Sequence, residues 1–161
     1  MTRLEADIDR EVNSVSPQPA AIKIWRKLRG TGVKIALCSN SGFPYGPAAL
    51  ACLPDRPDPA VFSYKVGNLK PEQAIYAAVC ERLNLPAERI LFFGDTHSAD
   101  VAGQQAYGFR SCYIEMLPEV VRDCFRLWDS KKRRLVDTCT TCVWRVLSRT
   151  SWHPCYSSRV R

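Results

Sequence analysis

The segment Ile90–Asp100, with the sequence ILFFGDTHSAD, constrains the fold more than any other part of the chain. It begins with the apolar run Ile90–Phe93, which is typical of a strand buried on both faces of a parallel sheet. The run stops at Gly94, Asp95 follows at once, and Asp100 comes as a helical pattern starts. Ligands bind at the carboxyl ends of the strands in open α/β sheets. The segment therefore predicts a strand, a loop and a helix, with two carboxylates at the binding edge of a sheet.

Further apolar runs alternate with helical patterns along the chain. Strands are predicted at Val33–Cys38, Val61–Val66, Ile90–Phe93 and Ser111–Glu115. Helices are predicted at 3–15, Pro19–Arg29, Ala48–Cys52, Pro71–Leu83, Ala99–Tyr107 and Leu117–Trp128. This alternation predicts an α/β fold with a Rossmann-like, doubly wound parallel sheet.

Composition excludes several classes of protein. The chain has 161 residues, of which 46% are hydrophobic, as expected of one globular domain. No apolar run approaches the roughly 20 residues that a membrane span needs. The charged start, MTRLEADIDREV, does not read as a secretory segment, so we expect a cytoplasmic protein that does not bind membranes. Most of the eight cysteines are then expected to be reduced.

The net charge of +7 is concentrated in the last part of the chain. Residues 117–161 hold ten Lys and Arg against four Asp and Glu, and they include a basic cluster, Lys131–Arg134. The rest is nearly neutral, which argues against nucleic-acid binding by an α/β domain. We predict three parts: a cap-type helix at 1–16, the α/β core at 17–116, and a basic tail, rich in Cys and Trp, at 117–161.

Three motifs resemble those of the haloacid dehalogenase-like hydrolase superfamily. They are IALCSN at Ser39, VGNLKPEQAIY at Lys70, and GDTHSAD at Asp95 and Asp100, and together they cover roughly residues 17–115. The resemblance implies a hydrolase, specifically a Mg²⁺-dependent phosphatase that acts on a small phosphate ester. The dehalogenase branch of the superfamily needs no metal, so dependence on Mg²⁺ would separate the two activities.

The resemblance also implies roles for these residues. Ser39 would bind the transferring phosphoryl group together with Asn40, because a hydroxyl and free backbone N–H groups can meet its oxygens after a strand. Lys70 would neutralise the charge of a carboxylate and a phosphate that approach one another. Asp95 would bind Mg²⁺, and Asp100 would either bind it through water or orient Lys70. The structural alternatives are that Ser39 or Asp100 caps a helix and that Lys70 is a solvated charge.

The superfamily's nucleophilic aspartate has no clear counterpart. Its reaction needs an aspartate at the end of the first strand and a second one two residues later as general acid and base. The chain has one such pair, Asp7 and Asp9, but Leu4, Ile8 and Val12 recur with the spacing of an amphipathic helix. We therefore interpret the chain as the carboxyl-terminal portion of a capped hydrolase, without its first strand and most of its cap. The alternative function is a catalytically inactive fragment that retains the fold.

A missing first strand would leave a gap inside the sheet. The resemblance places that strand between the strands that end at Ser39 and Asp95, where unpaired backbone N–H and C=O groups are costly. Either the two strands close up, or another segment fills the gap, for which Leu135–Leu147 is the candidate. Otherwise the unpaired edges should favour self-association.

The tail offers a different kind of function. Cys139 and Cys142 have the spacing of half a zinc knuckle, while His153 and Cys155 are too close together for the usual second half. The alternative hypothesis is that this tail binds zinc or nucleic acid, although chance cysteines and a solvated charge run explain the same residues.

Overall fold

The computed structural model of the chain describes residues 2–17, 19–122 and, for the backbone, 141–144. The helices in these residues are α1 (Arg3–Ser14), α2 (Pro19–Arg29), α3 (Tyr45–Ala51), α4 (Ser63–Val66), α5 (Gln73–Leu83) and α6 (Gly103–Tyr107). The strands are β1 (Lys34–Ser39), β2 (Ala60–Phe62), β3 (Ile90–Gly94), β4 (Arg110–Tyr113) and β5 (Thr141–Trp144). Residues 117–122 are also helical, and His97–Ala102 form a π-helical turn that leads into α6.

The five strands of the described residues form one parallel sheet in the order β2-β1-β5-β3-β4. Alternate residues of β1 face opposite sides of it, as the two-residue period of a strand requires. Ile35 and Leu37 pack with Trp25 of α2 on one face. Ala36 and Cys38 pack with α5 on the other. Helices thus cover both faces, which confirms the predicted Rossmann-like parallel fold.

Strand β5 lies in the centre of the sheet, between β1 and β3. Its Thr141 is level with Lys34 on one side and with Ile90 on the other. β5 belongs to the tail segment Leu135–Leu147 that was the candidate for the gap. Of the alternatives considered above, the structure shows the one in which another segment fills the gap. Self-association through unpaired edges stays a prediction, as does the division of the chain into three parts.

Helix α1 has the amphipathic pattern of its sequence, but none of its residues is buried. Thr2 and Glu5 form a reciprocal capping box at its start, which satisfies two backbone N–H groups. The helix contacts α3 through a hydrogen bond of 2.5 Å from the Tyr45 hydroxyl to Glu11 Oε2. α1 therefore lies on the surface of the α/β core, and Leu4 remains 68% exposed.

Polar contacts at the amino end of the sheet fix the position of β1. Asp58 Oδ2 accepts hydrogen bonds of 2.5 Å from both the Ile35 backbone N–H and the Arg29 guanidinium. Arg29 also donates to Asp55 at 2.8 Å, and Asp55 accepts from the Trp25 indole at 3.0 Å. The loop before β2 is thereby tied to both α2 and β1.

The prediction of one strand at Val61–Val66 is wrong. The strand stops at Phe62, and helix α4 begins at Ser63 and ends at Val66, where Gly67 caps it with a left-handed φ of 78°. The chain bends there because the Ser63 hydroxyl bonds to Ser41 in the loop after β1, accepting from its N–H at 2.9 Å and donating to its carbonyl at 3.0 Å.

Two predicted helix starts are also displaced. The helix predicted from Pro71 begins at Gln73, because residues before it form a tight turn in which the Glu72 N–H donates to the Leu69 carbonyl at 2.7 Å. The Lys70–Pro71 peptide bond is cis. The helix predicted at Ala99–Tyr107 is divided into the π-helical turn and α6.

Several sequence features lie outside the described residues. They are the basic cluster Lys131–Arg134 and the side chains of Cys139, Cys142, His153 and Cys155. Within the described residues, no helix combines the length and the apolar character required to cross a membrane.

A proline in β5 tests whether this strand completes the sheet. In Val143→Pro the strand loses a backbone N–H in the middle of the sheet, where proline is not tolerated. We expect the free energy of unfolding to fall by at least about 1–3 kcal/mol, the cost of one buried unsatisfied partner. We also expect oligomers to form, since β1 and β3 regain free edges. Urea denaturation and light scattering after gel filtration measure the two effects.

The matched control is Val143→Thr, which keeps a β-branched side chain and the backbone N–H. A monomeric Val143→Pro variant with unchanged stability would show that the sheet does not need β5.

Candidate active site

A buried ion pair lies at the carboxyl edge of the sheet. The Lys70 ammonium donates to Asp100 Oδ1, and the two side chains are 1% and 0% exposed. Asp100 Oδ2 accepts a second hydrogen bond from the Thr96 backbone N–H at 3.1 Å. The structure thus brings together two of the residues that the sequence selected, in the arrangement in which Asp100 orients Lys70. A part for Asp100 in metal binding stays a prediction.

This arrangement depends on the glycine that ends β3. A Cβ added at Gly94 would come 2.7 Å from Asp100 Oδ2 and closer still to the Asp100 Cβ. A side chain at this position therefore cannot coexist with Asp100 in its observed place. Gly94, the glycine of the third motif, is therefore required by its close approach to Asp100.

Asn40 joins the first motif to the second. Its Oδ1 accepts from the Lys70 backbone N–H at 2.7 Å, and its Nδ2 donates to the Lys70 carbonyl at 2.9 Å. The sequence predicted only that Asn40 would help Ser39 to bind a phosphoryl group. No local pattern could reveal these bonds, because the two residues are 30 positions apart. The Asn40 side chain holds the lysine loop against the end of β1.

Ser39 and Asp95 lie on opposite sides of β5. Ser39 is the last residue of β1 and is 4% exposed, while Asp95 follows β3 directly and is exposed. The strand register puts both residues level with each other. Two steps between neighbouring strands separate their backbones by about 10 Å. The two motifs thus lie level with each other on the two strands that flank β5, and Lys70 lies at the same edge.

Asp7 and Asp9 lie within α1, and Asp7 forms an exposed ion pair of 3.0 Å with Arg10. The resemblance requires a nucleophile at the end of a central strand, and neither Asp7 nor Asp9 lies there in this structure. That strand position belongs to β5, whose sequence, TCVW, contains no carboxylate.

Sequence reasoning did not find the pair His97 and Tyr113. His97 Nδ1 lies 2.6 Å from the Tyr113 hydroxyl, and the two rings stack at 23° with their centroids 6.2 Å apart. Both side chains are exposed, one after β3 and the other at the end of β4. They form an exposed pair of stacked rings, and His97 is two positions after Asp95 in the chain.

Tyr76 of α5 supports the segment that carries Asp100. Its hydroxyl donates to the Ala99 carbonyl at 2.6 Å. Burial, followed by the electrostatic effects of Cys38 and Asp100, raises the pKa of Tyr76 well above its ordinary value. The phenol therefore stays protonated and keeps donating this hydrogen bond over the physiological pH range.

The donors at this edge fit a magnesium ion only in part. No group of three or more His, Cys, Asp or Glu side chains that could hold a metal comes together in the described part of the chain. Asp95 supplies an exposed carboxylate, which accepts from the Thr96 hydroxyl at 3.1 Å. Mg²⁺ is commonly held by one or two carboxylates, with phosphate oxygens and water completing its shell. The described donors therefore supply only part of a Mg²⁺ shell, and a magnesium site at this edge stays a prediction.

Comparison with known protein families identifies the family of the chain. The sequence model of the haloacid dehalogenase-like hydrolases matches residues 4–108, which is more than half of the chain. The protein therefore belongs to the haloacid dehalogenase-like hydrolase family, as its three motifs predicted.

Two curated Escherichia coli (strain K12) proteins are similar to the chain. The pyrimidine 5′-nucleotidase YjjG is 29% identical over 113 residues, which are 68% of this chain and 50% of YjjG. The 5-amino-6-(5-phospho-D-ribitylamino)uracil phosphatase YigB is 37% identical over 65 residues, which are 40% of this chain and 26% of YigB. The chain thus spans at most about half the length of these relatives.

A solved structure has the same fold. The HAD phosphatase from Thermococcus onnurineus matches with a TM-score of 0.61 and 23% identity, over 88% of this chain and 60% of that protein. This likeness confirms the α/β fold and leaves the activity to be argued from the residues.

Breaking the buried ion pair from one side should be costly. Lys70→Met leaves the Asp100 carboxylate buried without its cation, so we expect the free energy of unfolding to fall by about 3–5 kcal/mol. The double variant Lys70→Met, Asp100→Leu removes both charges and should recover much of that loss. Urea denaturation of Lys70→Met, Asp100→Leu and the double variant gives the double-mutant cycle. Additive losses would contradict a direct interaction.

Gly94→Ala tests the close approach of β3 to Asp100. The added methyl group overlaps the Asp100 side chain, so the ion pair must shift or the strand must move. We expect a loss of about 1–3 kcal/mol in the free energy of unfolding, typical of overpacking. Gly42→Ala is the matched control, because its added Cβ would meet side chains only at 3.8 Å or beyond. Equal stability of both variants would contradict the packing argument.

Proposed function

We propose that this protein acts on a small phosphate ester as a Mg²⁺-dependent phosphatase of its family. The observation that carries the proposal is the joint placement of Ser39, Lys70 and Asp95 at one edge of the sheet. Family membership supports hydrolase chemistry, and both curated relatives are named as enzymes that act on phosphate esters.

The chain's own residues suit the binding of a phosphoryl group. The Ser39 hydroxyl and the backbone N–H groups after β1 can donate to its oxygens. The Lys70 ammonium is held in place by its ion pair with the buried Asp100 carboxylate. It would supply a fixed positive charge that stabilises the negative charge developing in a transition state. Such preorganised donors need no rearrangement during the reaction. When bound, Mg²⁺ would neutralise phosphate charge beside Asp95.

The names of the relatives narrow the class of substrate. YjjG is a pyrimidine 5′-nucleotidase, and YigB is a phosphatase of a phosphoribitylamino uracil. Both substrates carry a phosphate on a five-carbon sugar or sugar alcohol that is attached to a pyrimidine ring. We propose the same class of substrate here: a phosphate monoester of a pentose or pentitol that bears a ring.

A second candidate function is phosphate-ester binding without turnover. It is favoured by the position of β5, which occupies the centre of the sheet without a carboxylate in its sequence. A nucleophilic aspartate would be needed at the end of that strand. In this case Ser39, Lys70 and Asp95 would bind the ester, and no carboxylate of β5 would attack phosphorus.

Binding and turnover should be measured together on the full chain. We expect inorganic phosphate to bind in the presence of Mg²⁺, with binding weakened at least about tenfold in Asp95→Asn, because the phosphate and Asp95 share the cation. Isothermal titration calorimetry with and without Mg²⁺ measures the affinity. Hydrolysis of 4-nitrophenyl phosphate by the same samples measures turnover.

The combination of results separates the two candidates. Mg²⁺-dependent turnover that is lost in Asp95→Asn supports the phosphatase, and Asp7→Asn then tests whether α1 supplies the nucleophile. Binding without turnover supports the second candidate. A folded chain that binds no phosphate, with or without Mg²⁺, contradicts both. The control variant Asp55→Asn removes a carboxylate at the opposite edge of the sheet and should change neither measurement.

A further inference from the structure

Exposed apolar side chains concentrate at the edge of the sheet that carries the candidate active site. In the described residues, the large apolar side chains with high exposure are Leu4, Phe43, Leu69, Tyr113 and Met116. Phe43 follows β1, Leu69 lies between α4 and Lys70, Tyr113 ends β4, and Met116 follows it. Exposed apolar surface gathered in one place commonly marks a binding site. The binding edge therefore combines phosphate-binding groups with apolar surface.

Phe43 is the most exposed of these side chains, at 69%, yet its ring has a defined position. It meets Tyr64 edge to face, with ring centroids 5.7 Å apart and the planes at 89°. Tyr64 stacks in turn on Phe62, with centroids 5.5 Å apart, and Phe62 is 1% exposed. The exposed ring is thus the outer member of an aromatic series that is anchored in the core.

The loop that carries Phe43 is anchored on both sides. Ser41 is held to Ser63 by the two hydrogen bonds described above. Beyond Phe43, the Tyr45 N–H donates to the Gly42 carbonyl at 3.2 Å. Because ring and loop are ordered before a ligand arrives, little conformational entropy is lost when one binds.

The distance from Phe43 to the phosphate-binding residues suits a ring on a short spacer. Phe43 is four positions after Ser39, and four steps along the chain span at most about 14 Å. A ligand held by its phosphate at Ser39 and Lys70 can therefore reach Phe43 with a ring joined through a pentose-sized spacer. A phosphate ester without a ring gains nothing from this residue.

We infer that Phe43 is a specificity-determining residue that stacks against the aromatic or heteroaromatic ring of a phosphate ester. This inference rests on the proposed function and extends it by naming the contact that selects the ring. Stacking is tolerant of ring identity, because every base has a π face. Phe43 therefore selects esters with a ring over esters without one, and does not distinguish one base from another.

Equilibrium binding tests the inference without requiring turnover. Two probes, uridine 5′-monophosphate and ribose 5-phosphate, differ by the ring and are titrated calorimetrically into the full chain with Mg²⁺. We expect the ring-bearing probe to bind more tightly. Phe43→Ala should weaken its binding about 5- to 150-fold, the range for loss of one stacked base. Binding of ribose 5-phosphate should not change.

Two further variants control for structural effects. Phe43→Tyr keeps the aromatic face and should retain the preference for the ring-bearing probe. Leu4→Ala removes an apolar side chain of similar exposure, 68%, that lies on α1 away from this edge, and should leave both affinities unchanged. Thermal unfolding of each variant confirms that the compared chains are folded.

Each other outcome overturns a stated claim. Equal affinities for the two probes, unaffected by Phe43→Ala, overturn the inference and leave the phosphate site standing; in that case Phe43 contacts something other than this ligand, such as a further domain. An equal loss of both affinities in Phe43→Ala assigns the residue a structural role and also overturns it. If neither probe binds to the folded chain, the proposed function fails and the inference fails with it.

Discussion

The buried pair of Lys70 and Asp100 organises the binding edge of this protein. An ion pair without access to water is tolerated only when its remaining polar groups are also satisfied, because both charges have lost their hydration. The Thr96 N–H meets the second oxygen of Asp100, and Asn40 holds the Lys70 backbone from the other side. Loops that follow three different strands are therefore connected through one pair of charges.

The same requirement explains the glycine in the third motif. Asp100 can reach Lys70 only by passing close to the backbone of β3, and Gly94 leaves that space open. The third motif thus contains a glycine that packing requires in addition to its acidic residues. A glycine in such a pattern is informative because only a residue without a Cβ fits beside Asp100. The pattern can therefore be recognised from the sequence alone.

The central strands were predictable for a physical reason, and the strand between them was only a candidate. β1 and β3 are buried on both faces, so their sequences are continuous apolar runs and their bounds were predicted to within about one residue. The four residues of β5, TCVW, have no distinctive period, and their strand conformation depends on free edges at both neighbours. The resemblance to a family with a strand in that position was needed to expect a substitute.

Other features were missed because they depend on contacts between distant parts of the chain. α4 replaces the end of a predicted strand because Ser63 bonds to Ser41, 22 residues away. The link between Asn40 and Lys70 joins two motifs that were each recognised without the other. The residue types at the site were thus readable from sequence, whereas the bonds that orient them follow from the fold.

Phosphate binding and nucleophilic attack are physically separable in this fold. Ser39, Lys70 and Asp95 are held by β1, β3 and the loops around them, and their placement requires a continuous sheet but no particular side chain on the central strand. The resemblance, by contrast, puts the attacking carboxylate at the end of that strand. β5 restores the continuity of the sheet through backbone hydrogen bonds, which any sequence except proline can provide. A chain of this fold can therefore keep Ser39, Lys70 and Asp95 in these positions whichever side chains its central strand carries.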